Sequence, residues 1–366
     1  MPLPSTRDRA QFQHRLRDWL ATRLPADAAP EVEGMRIPEG TGMSSETLIF
    51  DAAWNAPKGR LSGRYVARLS PEMDDCPIFP QYDLELQFRC LELLRAHTAV
   101  PVPRTPWLEL DEGPLGSPFF VMEWVDGRVP SDMPPYVFEG WIMDASEAER
   151  ARLERNSVGI LAELHALELE TVDVGFLDRP EFGASALDQH LGYQRHYYDW
   201  AREGRSFPIL ERTFEWLDAQ RPADEPDAVL NWGDSRIGNV LYRGFEPAAV
   251  LDWEMAALGA PEADLAWMLF MHAFFADLAA QMGLPGIPGF LRRDSVVASY
   301  EELTGRRVRD LAYYEVFAAL RYGIISIRTS LRQIVHGEME EPADPDEMIM
   351  IRGLMERMLS GDYWDD

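Results

Sequence analysis

Across residues 229–266 an Asp and an Asn five positions apart, Asp234 and Asn239, precede a second Asp, Asp252, that follows an apolar run. Three short apolar runs, at 228–231, 240–242 and 248–251, read as strands framing these residues. The pattern narrows the fold sharply. Asp234 and Asn239 must share one loop that turns at Gly238, and Asp252 must end the last strand pointing back toward them. Taken singly, each is an ordinary turn or cap residue. Two carboxylates and an amide around one point supply the hard oxygen donors that suit Mg²⁺.

Those residue types match what phosphoryl transfer requires. One carboxylate accepts the proton of an attacking hydroxyl, while a carboxamide and a second carboxylate hold metal against the phosphates. Asp234, Asn239 and Asp252 fit these roles in that order. The stretch resembles the aminoglycoside phosphotransferase family of the protein-kinase-like fold. Within it, the likeness is to the branch that includes kinase domains attached to acyl-CoA dehydrogenases and actinobacterial members. The family pattern is HGDxxxxN, then apolar-Asp-Trp-Glu, then GxPxxDLA. This chain carries Trp232, Gly233, Asp234 and Asn239, then Asp252, Trp253 and Glu254, then Gly259, Pro261, Asp264, Leu265 and Ala266. Trp232 stands where the family usually has His, a residue that generally supports the loop. Asp264, at a helix start, reads as scaffolding. Glu254 and Arg236 each have two readings, one toward the metal or phosphoryl group and one as structural anchors.

The resemblance implies an α+β, bilobal protein-kinase-like fold. A small antiparallel β-rich lobe, residues 1–126, would bind ATP, and a larger, mainly helical lobe, residues 127–366, would carry catalysis and the acceptor. It also implies an ATP- and Mg²⁺-dependent transfer to a small-molecule hydroxyl, on an aminoglycoside-like or a hydroxyacyl-CoA-like substrate. A nucleotide-binding regulatory protein without transferase activity is the alternative, motivated by Trp232 and Arg68. A metal-dependent hydrolase built on Asp234 and Asp252 is a weaker reading, because the chain lacks a His-rich ligand set.

Apolar periodicity predicts an opening helix over 6–24, with Phe12, Leu16, Trp19, Leu20 and Leu24 on one face, followed by antiparallel strands. In YVARLSP, Tyr65 and Ala67 share one face, Val66 and Arg68 the other. A basic residue on an apolar face needs a partner. The kinase-like fold places a phosphate-holding Lys here, and Arg68 takes that place, with bidentate hydrogen-bonding capacity. Its helix partner is expected within 82–95, with Glu85 chosen over Asp83 and Glu92. The turn at 39–46 is the candidate phosphate-covering loop, in which Gly42 (with Gly40) permits close backbone approach and Ser44 and Ser45 donate. A plain hairpin is the other reading. The segment 118–130 resembles the crossing between lobes, with backbone groups near Glu123 and Val125 facing the adenine edge.

Further along, Ser146 and Glu149 form a capping box, and His165 in the following helix is expected to be packed and hydrogen-bonded. Tyr193, Tyr197 and Trp200 read as core, with acceptor-pocket lining as the second reading. Tyr313, Phe317, Leu320 and Ile324 make one stripe of a helical tail over 294–359. The chain has 62 acidic and 35 basic residues, a net charge of −27, which opposes nucleic-acid and anionic-membrane binding. Two cysteines, Cys76 and Cys90, are too few for a disulfide framework or zinc site, so a cytoplasmic location is expected. No apolar run is expected to reach the roughly 20 residues of a membrane span. Oligomeric state has no sequence signal.

Overall fold

The computed structural model describes residues 9–36, 46–71 and 76–364. Helix α1 (Arg9–Arg23) is followed by strands β1 (Glu31–Arg36), β2 (Glu46–Ala56) and β3 (Gly59–Leu69), then helix α2 (Leu84–His97) and strands β4 (Trp107–Glu109) and β5 (Phe119–Glu123). These strands form one antiparallel sheet in the order β1-β2-β3-β5-β4. Candidate loop residues Gly42, Ser44 and Ser45 lie outside the described residues.

The predicted alternation along β3 decides what each sheet face meets. Tyr65, Ala67, Leu69, Phe119 and Val121 point to α1, where they pack with Phe12, Leu16, Trp19 and Leu20. Trp19 stacks edge-on against Phe119 at 4.7 Å and donates from Nε1 to Glu109 Oε2 at 2.7 Å. The opposite face, with Val66, Phe120 and Met122, joins α2 in the main core. Phe88 of α2 meets Phe120, the cross-strand partner of Arg68. Asp83 caps α2 by accepting from the Leu86 amide at 2.8 Å.

Beyond β5 the chain is mainly helical: α3 (Glu147–Leu164), α4 (Ala186–Ala201) and α5 (Pro208–Ala219), then short strands β6 (Val229–Asn231), β7 (Val240–Arg243), β8 (Glu246–Val250) and β9 (Ala257–Gly259), and finally α6 (Pro261–Gln281), α7 (Arg293–Thr304), α8 (Leu311–Val335) and α9 (Arg352–Ser360). β7 pairs with β8 and β6 with β9, both antiparallel. The crossing peptide docks on β7: the Arg128 and Tyr242 amides and carbonyls exchange hydrogen bonds at 2.9 and 2.8 Å. The capping box at Ser146 and Glu149 is present, and the stripe Tyr313, Phe317, Leu320 and Ile324 is buried on α8.

One expectation is corrected. Helix α6 spans 21 residues and is apolar enough, by length and composition, to cross a membrane, but 72% of its apolar window is buried inside the protein. A helix apolar all round is either a span or a core helix; here α6 packs against α8 and β6 in the core.

Within that core, His272 of α6 shares a 2.7 Å hydrogen bond from Nδ1 with the Tyr136 hydroxyl. Burial pulls its imidazole down from 6.5 to about 4. The unfolded chain therefore takes up a proton first as pH falls, so the stability that this neutral ring contributes is complete above pH 6.5 and is lost toward pH 4. Replacing His272 with Gln should shrink the difference in unfolding free energy between those pH values by on the order of 3 kcal/mol, read from urea titrations.

Candidate active site

Strand β6 delivers the loop that carries Asp234, and a single carboxylate from the start of α6 holds its backbone. The amides of Trp232 and Gly233 donate to Asp264 Oδ2 and Oδ1 at 2.8 and 2.9 Å, and Ser235 Oγ donates to the Asp264 carbonyl at 2.7 Å. His165 Nε2 lies 3.2 Å from Asp264 Oδ2, with its Nδ1 on the Tyr300 hydroxyl at 2.8 Å. Burial works to raise the Asp264 carboxyl, but His165 and the two amides outweigh it and hold it below the usual carboxylate range. Asp264 is thus a scaffold and His165 a packed, hydrogen-bonded residue. Gly233 has φ +87°, and a Cβ there would lie 2.0 Å from the Met255 carbonyl oxygen, so the turn admits only glycine.

Asp234, 9% exposed, carries donors on both oxygens. Trp267 Nε1 donates to Oδ1 at 2.6 Å, Asn239 Nδ2 to Oδ2 at 2.7 Å, and Arg236 Nε bridges both at 3.1 Å. Arg236 also pairs with Asp132. Burial disfavours the Arg236 charge, yet Asp234 and Asp132 raise its pKa above the ordinary arginine value. Of its two sequence readings, the structure shows the acidic pairing.

Asn239 and Asp252 meet because β7 and β8 pair from Val240 and Val250 outward, and the Leu251 amide donates to the Asn239 carbonyl at 2.9 Å. Asp252 sits at φ +63°, a left-handed conformation that a non-glycine residue seldom adopts and that clusters at functional sites. Trp232, fully buried, fills the family's His position and ties the two halves together: its Nε1 donates to the Leu251 and Asp252 carbonyls at 2.9 and 3.1 Å.

Arg68 reaches this point from the sheet, with Nη2 2.7 Å from Asp252 Oδ1 and 3.8 Å from Glu254 Oε2. Burial opposes its charge, but Asp252, Glu254 and Asp234 raise its pKa. The expected pairing with a helix glutamate is corrected: Glu85 lies exposed in the first turn of α2, Asp83 caps that helix, and Glu92 accepts from Thr105 Oγ1 at 2.6 Å. The helical spacing of α2 was legible, but its rotation against the sheet was not.

In the crossing strand the Glu123 amide donates to the Arg104 carbonyl at 2.8 Å and the Trp124 amide to the Arg64 carbonyl at 2.9 Å. Val125 follows, half-buried, at the start of the crossing peptide.

Beside Glu254 a pocket opens among Tyr82, Arg179, His190, Tyr193, Tyr197 and Arg321. Two of the three aromatic residues noted on α4 therefore line it, while Trp200 instead lies 4.2 Å beneath the Arg328 guanidinium.

The donor set suits Mg²⁺ bound together with phosphates. Asp252, with a side chain 17% exposed, already holds a cation in the Arg68 guanidinium, and Asn239 uses its Nδ2 on Asp234, leaving its carbonyl oxygen as a hard ligand. Among the described residues no group of three or more His, Cys, Asp or Glu forms a metal cage, so phosphate and water would complete the coordination. Sequence reasoning missed Asp132, in a loop without periodic signal, and Trp267. The latter's one clue is its position three residues past Asp264, on the same helix face.

Comparison with known proteins finds relatives in sequence and in fold. Acyl-CoA dehydrogenase family member 11 of Pongo abelii is 29% identical over 298 residues, covering 77% of this chain and 36% of that protein. The chain thus spans about a third of that relative's length. A Ralstonia eutropha protein assigned to the aminoglycoside phosphotransferases superposes with a TM-score of 0.67 at 21% identity, covering 96% of this chain and 98% of the other. An aminoglycoside phosphotransferase solved as a ternary complex with ADP and hygromycin B superposes with a TM-score of 0.55 at 14% identity, covering 94% and 98%. These likenesses show the kinase-like fold. The model of the phosphotransferase enzyme family matches residues 56–289, and the chain belongs to that family.

Proposed function

We propose that the chain is an ATP- and Mg²⁺-dependent kinase that transfers the γ-phosphoryl group to a hydroxyl of a small molecule. The observation that carries this reading is the approach of two pairs, Asn239 with Asp234 and Arg68 with Asp252, joined through the Leu251 amide on the Asn239 carbonyl, with Arg68 and Asp252 paired across 184 positions of sequence. Asp234 would orient the acceptor hydroxyl and take its proton. Asn239 and Asp252 would hold Mg²⁺, which when bound neutralises phosphate charge. Arg68 would exchange its carboxylate partner for phosphate oxygens, and Arg236, paired with Asp234 and Asp132, would add positive charge beside the transferred group. Most of the catalysis would come from positioning and charge rather than covalent chemistry.

The acceptor would enter the pocket beside Glu254. Its lining sets Arg179 and Arg321 against Asp83 and Glu254, so the pocket does not share the −27 charge of the chain. A useful acceptor panel therefore spans aminoglycosides, neutral alcohols and hydroxy acids, including hydroxyacyl thioesters. ADP formation that depends on one class of acceptor supports the reading. Tight Mg·ATP binding with no turnover on any acceptor supports a regulatory nucleotide-binding protein instead.

With a productive acceptor in hand, Asp234→Ala should lower kcat by on the order of 10³-fold while ATP affinity by calorimetry holds. Arg68→Met should act on the other half of the reaction, weakening nucleotide binding about tenfold or more in the same titration.

A further inference from the structure

We infer that Trp267 is a positioning residue for the base, its indole N–H setting the plane of the Asp234 carboxylate. The inference rests on the kinase reading above. Backbone clamps from Asp264 fix where the loop runs, but they leave the Asp234 side chain free to turn about its own bonds. Trp267 Nε1 on Oδ1 at 2.6 Å and Asn239 Nδ2 on Oδ2 at 2.7 Å hold one oxygen each, which fixes that rotation. Arg236 touches both oxygens but is shared with Asp132. Trp267 is the most buried of the three donors, 2% exposed.

Three features place the indole. It lies one helical turn beyond Asp264 on α6, so one face of one helix holds both the backbone and the side chain of the catalytic loop. It is 2% exposed, in surroundings where a hydrogen bond to a charged group is strong. Its outer face carries the Arg321 guanidinium at 4.3 Å, and Arg321 in turn donates from Nη2 to the Gly233 carbonyl at 2.8 Å. Arg321 also lines the pocket beside Glu254. A ring present only to fill space would need no N–H directed at the base.

The test uses the full chain with Mg·ATP alone, following ADP release with water as the phosphoryl acceptor, and measures nucleotide affinity separately by calorimetry. Two variants are compared with the wild type: Trp267→Phe, and 3-benzothienylalanine at 267, which keeps the bicyclic shape and replaces only the N–H by sulfur. Both should lose about 10- to 100-fold in kcat, with KM for Mg·ATP and nucleotide affinity within about twofold of wild type. Wild-type turnover in the benzothienylalanine protein would show that the ring acts by shape alone and would overturn the assignment. Equal losses of nucleotide affinity and turnover would also overturn it, because they mark general damage to the site. No ADP release by the wild type, here and across the acceptor panel, would overturn the kinase reading itself, an outcome distinct from equal rates in wild type and variant.

Discussion

The carboxylate of Asp264 is the constraint on which the site depends. It is fully buried, and it satisfies two backbone amides of the turn at Trp232 and Gly233 that have lost access to water. Leaving both amides unpaired would cost several kcal/mol, on the order of 1–3 each. The position of Asp264 in the first turn of α6 also lets the positive end of the helix stabilise its charge. Because α6 packs along α8, the aim of the Asp234 loop is tied to the two longest helices among the described residues. His165 and Tyr300 extend the same network into α3 and α7.

Around this anchor the acids and arginines neutralise one another. Arg68 lies on Asp252 and near Glu254, while Arg236 joins Asp234 to Asp132. Charges this far from water persist only when paired. On the kinase reading, Mg·ATP would replace these internal pairs by others of the same sign: metal for guanidinium at Asp252, phosphate for carboxylate at Arg68. On that reading the two arginines would keep the acids in place until substrate arrives.

Much of this was legible because it is local. The interval from Asp234 to Asn239, the apolar runs that became β6, β7 and β8, and the alternation that put Arg68 on its face all follow from strand and turn geometry over a few residues. The helix around Leu84 was equally readable from its apolar spacing, yet Glu85 proved exposed, since periodicity reports which residues share a face and not how that face is rotated on the sheet. Trp267 was hidden by its surroundings, because a tryptophan in an apolar helix looks like core, and it is indeed buried there.

By itself, the sequence determined most element types and the family of the chain, and it singled out Asp234, Asn239 and Asp252 as a candidate set, since dihedral preference, burial patterns and motif spacing are written into nearby residues. Tertiary structure decided the partners: Arg68 with Asp252 across 184 positions, Arg236 with Asp132 across 104, and Trp267 with Asp234 across 33. Those choices depend on how whole helices and sheets pack, and on which buried charge finds which donor once water has been excluded. No local pattern encodes that outcome, because it is a property of the assembled core.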